Sequence, residues 1–205
     1  MNTIFLTSQA NKVLKGIVPL LPKQPSEYKV VFIPTGAALY TDAPWMHADR
    51  DELVRLGFIV NDLGLDTASP EEVASATQDA DIIFVAGGNT FYLLEHARRT
   101  RFDVAVKEAV SAGKIYIGSS AGAVLAGPDI SYVASFDDPE KASLENTKGL
   151  GLVNFSVIPH AGNSKYKELH DAVLIEYKDW DYPLVLVSDN QFVVPIREGW
   201  EIMDV

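Results

Sequence analysis

Short runs of β-branched and apolar residues alternate along this chain with stretches whose apolar positions recur at helical spacing. Residues 3–7, 29–34, 58–63, 81–86, 114–119 and 155–159 are predicted as strands, and 184–188, 192–196 and 200–203 close the chain. Several of the early runs, such as Lys-Val-Val-Phe-Ile-Pro and Asp-Ile-Ile-Phe-Val-Ala, are apolar on successive residues. That is the signature of a parallel sheet covered on both faces. Ser69-Pro70-Glu71-Glu72 reads as a helix start: a Ser cap, Pro in the first turn, and carboxylates facing the positive helix end. Residues 49–56 and 103–112 carry helical spacing and stop at Gly57 and Gly113, the residue type favoured just past a helix end. Further helices are predicted over 91–98 and 164–177. Such alternation implies right-handed βαβ crossovers and helices on both faces of a mostly parallel sheet. The last three strands are separated only by Asp189-Asn190-Gln191 and Glu198-Gly199, which predicts an antiparallel C-terminal edge. No repeat, low-complexity tract or linker interrupts the pattern, so residues 1–205 are read as one α/β domain.

Composition narrows the chemistry. The 205 residues contain no Cys, which excludes disulfides, thiolate metal sites and a cysteine nucleophile. The formal net charge is −11, from 17 basic and 28 acidic side chains. This balance argues against a broad nucleic-acid or anionic-lipid surface. No apolar run approaches the roughly 20 residues that span a bilayer. Met1 to Ser8 has neither the basic flank nor the apolar length of a signal peptide, so a cytoplasmic location is expected.

Open parallel sheets place ligands beyond the carboxyl ends of their strands, which directs attention to the loops after Pro34, Ala86, Ser119 and Pro159. Gly118-Ser119-Ser120-Ala121-Gly122 is a Gly-x-Ser-x-Gly at a strand-to-helix turn. In such an elbow the nucleophile is strained and its neighbours two before and two after must be small. That register selects Ser120, because Ile117 would occupy the small position for Ser119. The Ala121 amide is then aimed at the reaction centre. Gly87-Gly88-Asn89-Thr90 opens the helix after the fourth strand. Gly88 is positioned to supply the second oxyanion donor, while Asn89 or Thr90 can cap the helix. Of the four histidines only His160 ends a strand on this edge, which makes it the candidate general base. An orienting acid is sought between nucleophile and base, where Asp138 is preferred over Asp137, Glu140 and Glu145. Metal-ligand spacings such as His-Glu-x-x-His are missing from the sequence.

Taken together, Ser-Ala-Gly-Ala at residues 120–123, Gly-Gly-Asn-Thr at 87–90 and Ile-Pro-His at 158–160 resemble the peptidase E family. These are aspartyl dipeptidases grouped with cyanophycinases among the serine peptidases. The match runs from about Phe32 to His160 and more loosely over the whole length. The resemblance implies a flavodoxin-like sandwich akin to class I glutamine amidotransferases. It also implies Ser120 as nucleophile, His160 as base, and cleavage of small peptides beginning with aspartate, without metal or cofactor. It favours Asp138 as the acid. Amidotransferases of that fold attack with a Cys, which this chain lacks. An Arg that holds the substrate aspartate in peptidase E has no counterpart in residues 163–170. Lys165 or Lys167 is the available cation, a point charge without bidentate geometry. Asn89 and Lys165 are thus the expected substrate contacts. A small peptide is the expected partner, with a homodimer as the alternative to a monomer. Two other readings compete: an α/β-hydrolase esterase, disfavoured by the 40 residues between Ser120 and His160, and a non-catalytic module that keeps the elbow.

Overall fold

A computed structural model describes residues 3–205. The reading of the N-terminal segment therefore falls partly on Met1 and Asn2, which lie outside the described residues. Among the described residues nine strands are formed: β1 (Ile4–Thr7), β2 (Lys29–Ile33), β3 (Ile59–Asp62), β4 (Ile82–Val85), β5 (Ile115–Ser119), β6 (Ser156–Ala161), β7 (Leu184–Ser188), β8 (Gln191–Ile196) and β9 (Gly199–Asp204). Seven of them make one sheet in the order β3-β2-β4-β5-β1-β8-β9. The first five in that order are parallel; β8 runs antiparallel to β1, and β9 to β8. Strands β2 to β5 adopt the 2-1-3-4 order of a flavodoxin-like sheet, and β1 fills the fifth place, so the predicted fold class is observed.

One expectation about the C-terminal strands is corrected. β7 does not pair with β8 across their short connection. It pairs in parallel with β6 to form a separate two-stranded sheet, Ser156 opposite Leu184 and Ile158 opposite Leu186. A two-residue link reads as a hairpin, yet here Asp189 and Asn190 hand the chain from one sheet to the other. Parallel pairing needs a crossover, and the helix after β6 supplies it.

The helices are α1 (Ala10–Ile17), α2 (Pro44–Leu56), α3 (Pro70–Asp79), α4 (Thr90–Arg99), α5 (Phe102–Ser111), α6 (Ala121–Leu125) and α7 (Lys167–Glu176). Ser69 and Glu72 form the reciprocal capping box that starts α3. Gly57 and Gly113 follow α2 and α5 at φ 97° and 93°, where a side chain is costly. α2 begins earlier than its predicted start at Asp49, with Pro44 in its first turn. The predicted 164–177 helix opens with a separate 3-10 turn, Ser164–Tyr166. α1 was not expected from the sequence. No helix among the described residues is long and apolar enough to cross a membrane.

Strand residues alternate between two cores. Val30, Phe32, Ile82, Phe84, Ile115 and Ile117 face α1 and α2. Val31, Ile33, Ile83, Val85 and Tyr116 face α3 to α6 and the small sheet. Each large side chain so buried contributes about 1.5–3 kcal/mol of transfer free energy. The carboxyl ends of β1, β4, β5, β6 and β7 meet at one edge, and the site lies there.

Candidate active site

Ser120 joins β5 to α6 at φ 48° and ψ −108°, a conformation that L-residues adopt only under constraint. The constraints are visible. The Ser120 N–H donates to the Thr7 carbonyl at 2.9 Å, and the Thr7 hydroxyl donates to the Gly118 carbonyl at 3.1 Å. The Tyr116 hydroxyl donates to the Gly122 carbonyl at 2.7 Å. A Cβ on Gly118 would lie 2.5 Å from the Gly122 oxygen, and one on Gly122 would lie 2.1 Å from the Val85 oxygen. Both glycines of the motif are therefore fixed by packing around the elbow.

His160 reaches the same point from β6. The β6–β7 register breaks between Ile158 and Ala161, and His160 sits at φ 64°. This irregularity turns its ring toward β5, leaving Nε2 3.2 Å from Ser120 Oγ. Nδ1 lies 2.9 Å from Oδ1 of Asp189, the first residue after β7. Burial alone would raise the Asp189 pKa. Hydrogen bonds from Ser8 and His160, with the nearby charges of His160 and Lys12, outweigh it and hold the carboxyl below its ordinary value. The ring of Tyr166 stacks on His160 with centroids 5.0 Å apart.

The expected acid, Asp138, is elsewhere. Its carboxylate caps the 3-10 turn Pro139–Lys141, accepting the Glu140 N–H at 3.0 Å, and stands 3.9 Å from the Lys141 ammonium on the surface. Asp137 is more enclosed, with Oδ2 accepting the Thr90 N–H at 2.8 Å and the Thr90 hydroxyl at 2.5 Å. Burial raises its pKa against those hydrogen bonds and the His160 charge. Glu140 and Glu145 are exposed. The chain order is thus Ser, His, carboxylate rather than Ser, carboxylate, His.

Gly88 and Ala121 line the cavity in front of Ser120, and among the described residues neither N–H donates to a protein acceptor. Asn89 is placed differently from expectation. It is buried, its amide oxygen accepts the Tyr92 N–H at 2.9 Å as the α4 cap, and its amide nitrogen donates to the Asp138 carbonyl at 3.0 Å. Both ends of the side chain are spent on the scaffold. Lys165 lines the cavity with its ammonium 5.3 Å from the Tyr166 ring centre, whereas Lys167 pairs with Asp171. The cavity encloses about 570 Å³. Asp42, Asp49 and Asp137 face it, opposed by Lys165 as the one Lys or Arg lining it among the described residues. Asp49 is almost fully enclosed, and burial raises its pKa to about 6 against hydrogen bonds from Ser119 and the Asn11 amide.

The profile of peptidase family S51 matches residues 4–203. The chain belongs to this family. An uncharacterised peptidase of Listeria innocua is 34% identical over 97% of this chain and 99% of its own length. Peptidase E of Streptomyces coelicolor is 35% identical over 82% of this chain and 68% of its own. A crystal structure of a peptidase E candidate from Listeria monocytogenes superposes over the whole chain with a TM-score of 0.92 at 32% identity, covering 99% of that chain. Family membership gives this S51 chain a peptidase function.

Two polar residues of this S51 site escaped the sequence reading. Asp189 was legible only as part of a turn, and Ser8 only as the residue after the first strand. Both stand just past a strand's carboxyl end, where ligand sites of parallel sheets collect. Applied to β1, that rule would have brought Ser8 into view, whereas β7, read from the sequence as part of an antiparallel edge, lay outside it until its parallel pairing with β6 was seen.

Proposed function

We propose that this S51 peptidase is a serine-type hydrolase of small peptides in which Ser120, His160 and Asp189 act as a relay. The observation that carries this reading is the continuous contact from Ser120 Oγ to His160 Nε2 at 3.2 Å and from His160 Nδ1 to Asp189 Oδ1 at 2.9 Å. A carboxylate only accepts hydrogen bonds, so Asp189 fixes the proton on Nδ1 and leaves Nε2 bare. Ser120 Oγ attacks the peptide carbonyl carbon while Nε2 takes its proton, and the Gly88 and Ala121 amides receive the developing oxyanion. His160 then returns the proton to the leaving nitrogen as the C–N bond breaks and an acyl-serine ester forms. Water, deprotonated by the same nitrogen, hydrolyses the ester and restores the Ser120 hydroxyl.

The cavity favours a first residue that is neutral or basic. An aspartyl side chain would enter a space faced by three carboxylates and a single flexible ammonium. Like charges across a site are repulsive, and a lone Lys lacks the bidentate hold of Arg. Profiling a dipeptide library with acidic, neutral and basic first residues, with Ser120→Ala as control, tests both parts. Turnover that vanishes in Ser120→Ala and is at least tenfold faster for neutral or basic than for aspartyl first residues is expected; each 1.4 kcal/mol of discrimination gives a factor of ten. Preferential Asp-X cleavage would overturn the specificity, and turnover retained by Ser120→Ala would overturn the mechanism.

A further inference from the structure

Ser8 follows β1 directly and is 1% exposed. Its single hydroxyl meets three groups of the relay. It accepts the His160 backbone N–H at 2.8 Å, donates to Asp189 Oδ1 at 2.6 Å and lies 3.0 Å from His160 Nδ1. These contacts bridge 152 residues of sequence to His160 and 181 to Asp189. A hydroxyl has one proton and two lone pairs. The proton goes to Asp189, because a carboxylate has none to give. One lone pair takes the His160 N–H, and the other faces Nδ1–H, which Asp189 shares.

The geometry points to Ser8 as a positioning residue that holds His160 by backbone and ring together, so that Nε2 faces Ser120. This deepens the relay reading and rests on it. The backbone contact acts where it is needed, because His160 is a non-glycine residue at φ 64°. Such a conformation is unfavourable for a residue with a side chain and persists only when its surroundings fix it. The ring contact acts on the second degree of freedom: with both Asp189 and Ser8 on the Nδ1 side, rotation of the imidazole loses two partners at once. Ser8 touches no reacting atom, and its effect passes entirely through His160 and Asp189.

The test measures fluorophosphonate labelling of Ser120 in Ser8→Ala, in the near-isosteric Ser8→Cys and in each combined with Asp189→Asn. It also follows the low-field NMR resonance of the His160 Hδ1 proton. Loss of a hydrogen bond to a charged group predicts roughly 10- to 100-fold slower labelling in both single variants. In the Asp189→Asn background the same changes are expected to cost less than about twofold, because residues acting through one group are non-additive. The Hδ1 resonance is expected to be lost or to exchange rapidly. Labelling within about twofold of the parent in the folded single variants would overturn the assignment. So would an equal fold-loss in both backgrounds, or an unchanged Hδ1 resonance in Ser8→Cys. If the parent protein itself takes no label, the hydrolase reading falls, and the Hδ1 resonance alone decides for or against Ser8.

Discussion

Ser120 and His160 both occupy positive φ, 48° and 64°, and both are pinned there from the end of β1, Ser120 by the Thr7 carbonyl and His160 by the Ser8 hydroxyl. The two strained residues thus share one anchor, which fixes them relative to each other as well as to the sheet. Asp49 is a second residue-scale feature, a carboxyl buried beside Ser119 with its pKa raised to about 6. A raised carboxyl pKa means that the folded state binds the proton more tightly than the unfolded chain. Stability therefore falls as pH rises through the window from the unfolded value, near 4, to the folded value, near 6, and is level above it. Relative to Asp49→Asn, the parent protein should lose up to about 3 kcal/mol across that window, measured by urea unfolding at fixed pH values. A parallel pH dependence in the two proteins would contradict this. At this scale the sequence singled out Ser120 and His160 as candidates, because small-residue requirements leave a pattern around Ser120 and a strand end marks His160. Asp189 and Ser8 left no such pattern. Each is an ordinary polar residue after a strand, and only tertiary contact distinguishes it from Asp138, which occupies the segment where the acid was sought.

The elements tell the same story through their junctions. The strands of the parallel sheet and the capped helix α3 were legible because apolar runs, a Ser-Pro-Glu-Glu start and terminal glycines are local signals. The β6–β7 pair was not, since pairing partners are chosen by burial across the whole chain, and a two-residue link gives the opposite local hint. The seam between the β2 and β4 loops is the most demanding junction. Gly88 lies at φ 144°, its Cβ position falls 2.0 Å from the Gly36 backbone carbon and oxygen, and the Asn89 N–H donates to that same Gly36 oxygen at 2.8 Å. A backbone cannot yield as the tip of a side chain can, so Gly88→Ala must displace the loop that carries the proposed oxyanion donor. The expected result is a loss of at least about 2 kcal/mol in stability, with slower Ser120 labelling. Thermal unfolding checks the first part, and unchanged melting and labelling would refute the close approach. Gly113 is the contrasting case: nothing lies within 4 Å of its Cβ position, so only its φ of 93° opposes a side chain there.

Across the whole molecule, charge and architecture act on the same edge. The net charge of −11 attracts cations and repels anions at long range, and the cavity repeats that sign locally through Asp42, Asp49 and Asp137. The flavodoxin-like order places the ends of β4 and β5 side by side, while the small β6–β7 sheet and the β1 terminus bring His160, Asp189 and Ser8 to Ser120. Four separate stretches of chain thereby converge on the proposed relay. Its central link is the one between His160 and Asp189, and it is tested most directly by comparing the rate of fluorophosphonate labelling at Ser120 in Asp189→Asn and Asp138→Asn. Loss of the orienting acid slows the Ser-His-Asp template by about 10⁴-fold when the tautomer is reversed. The relay predicts labelling at Ser120 in the parent, a fall of at least about a hundredfold in Asp189→Asn, and no more than a twofold change in Asp138→Asn. Equal rates in the parent and Asp189→Asn, or a collapse confined to Asp138→Asn, would contradict it.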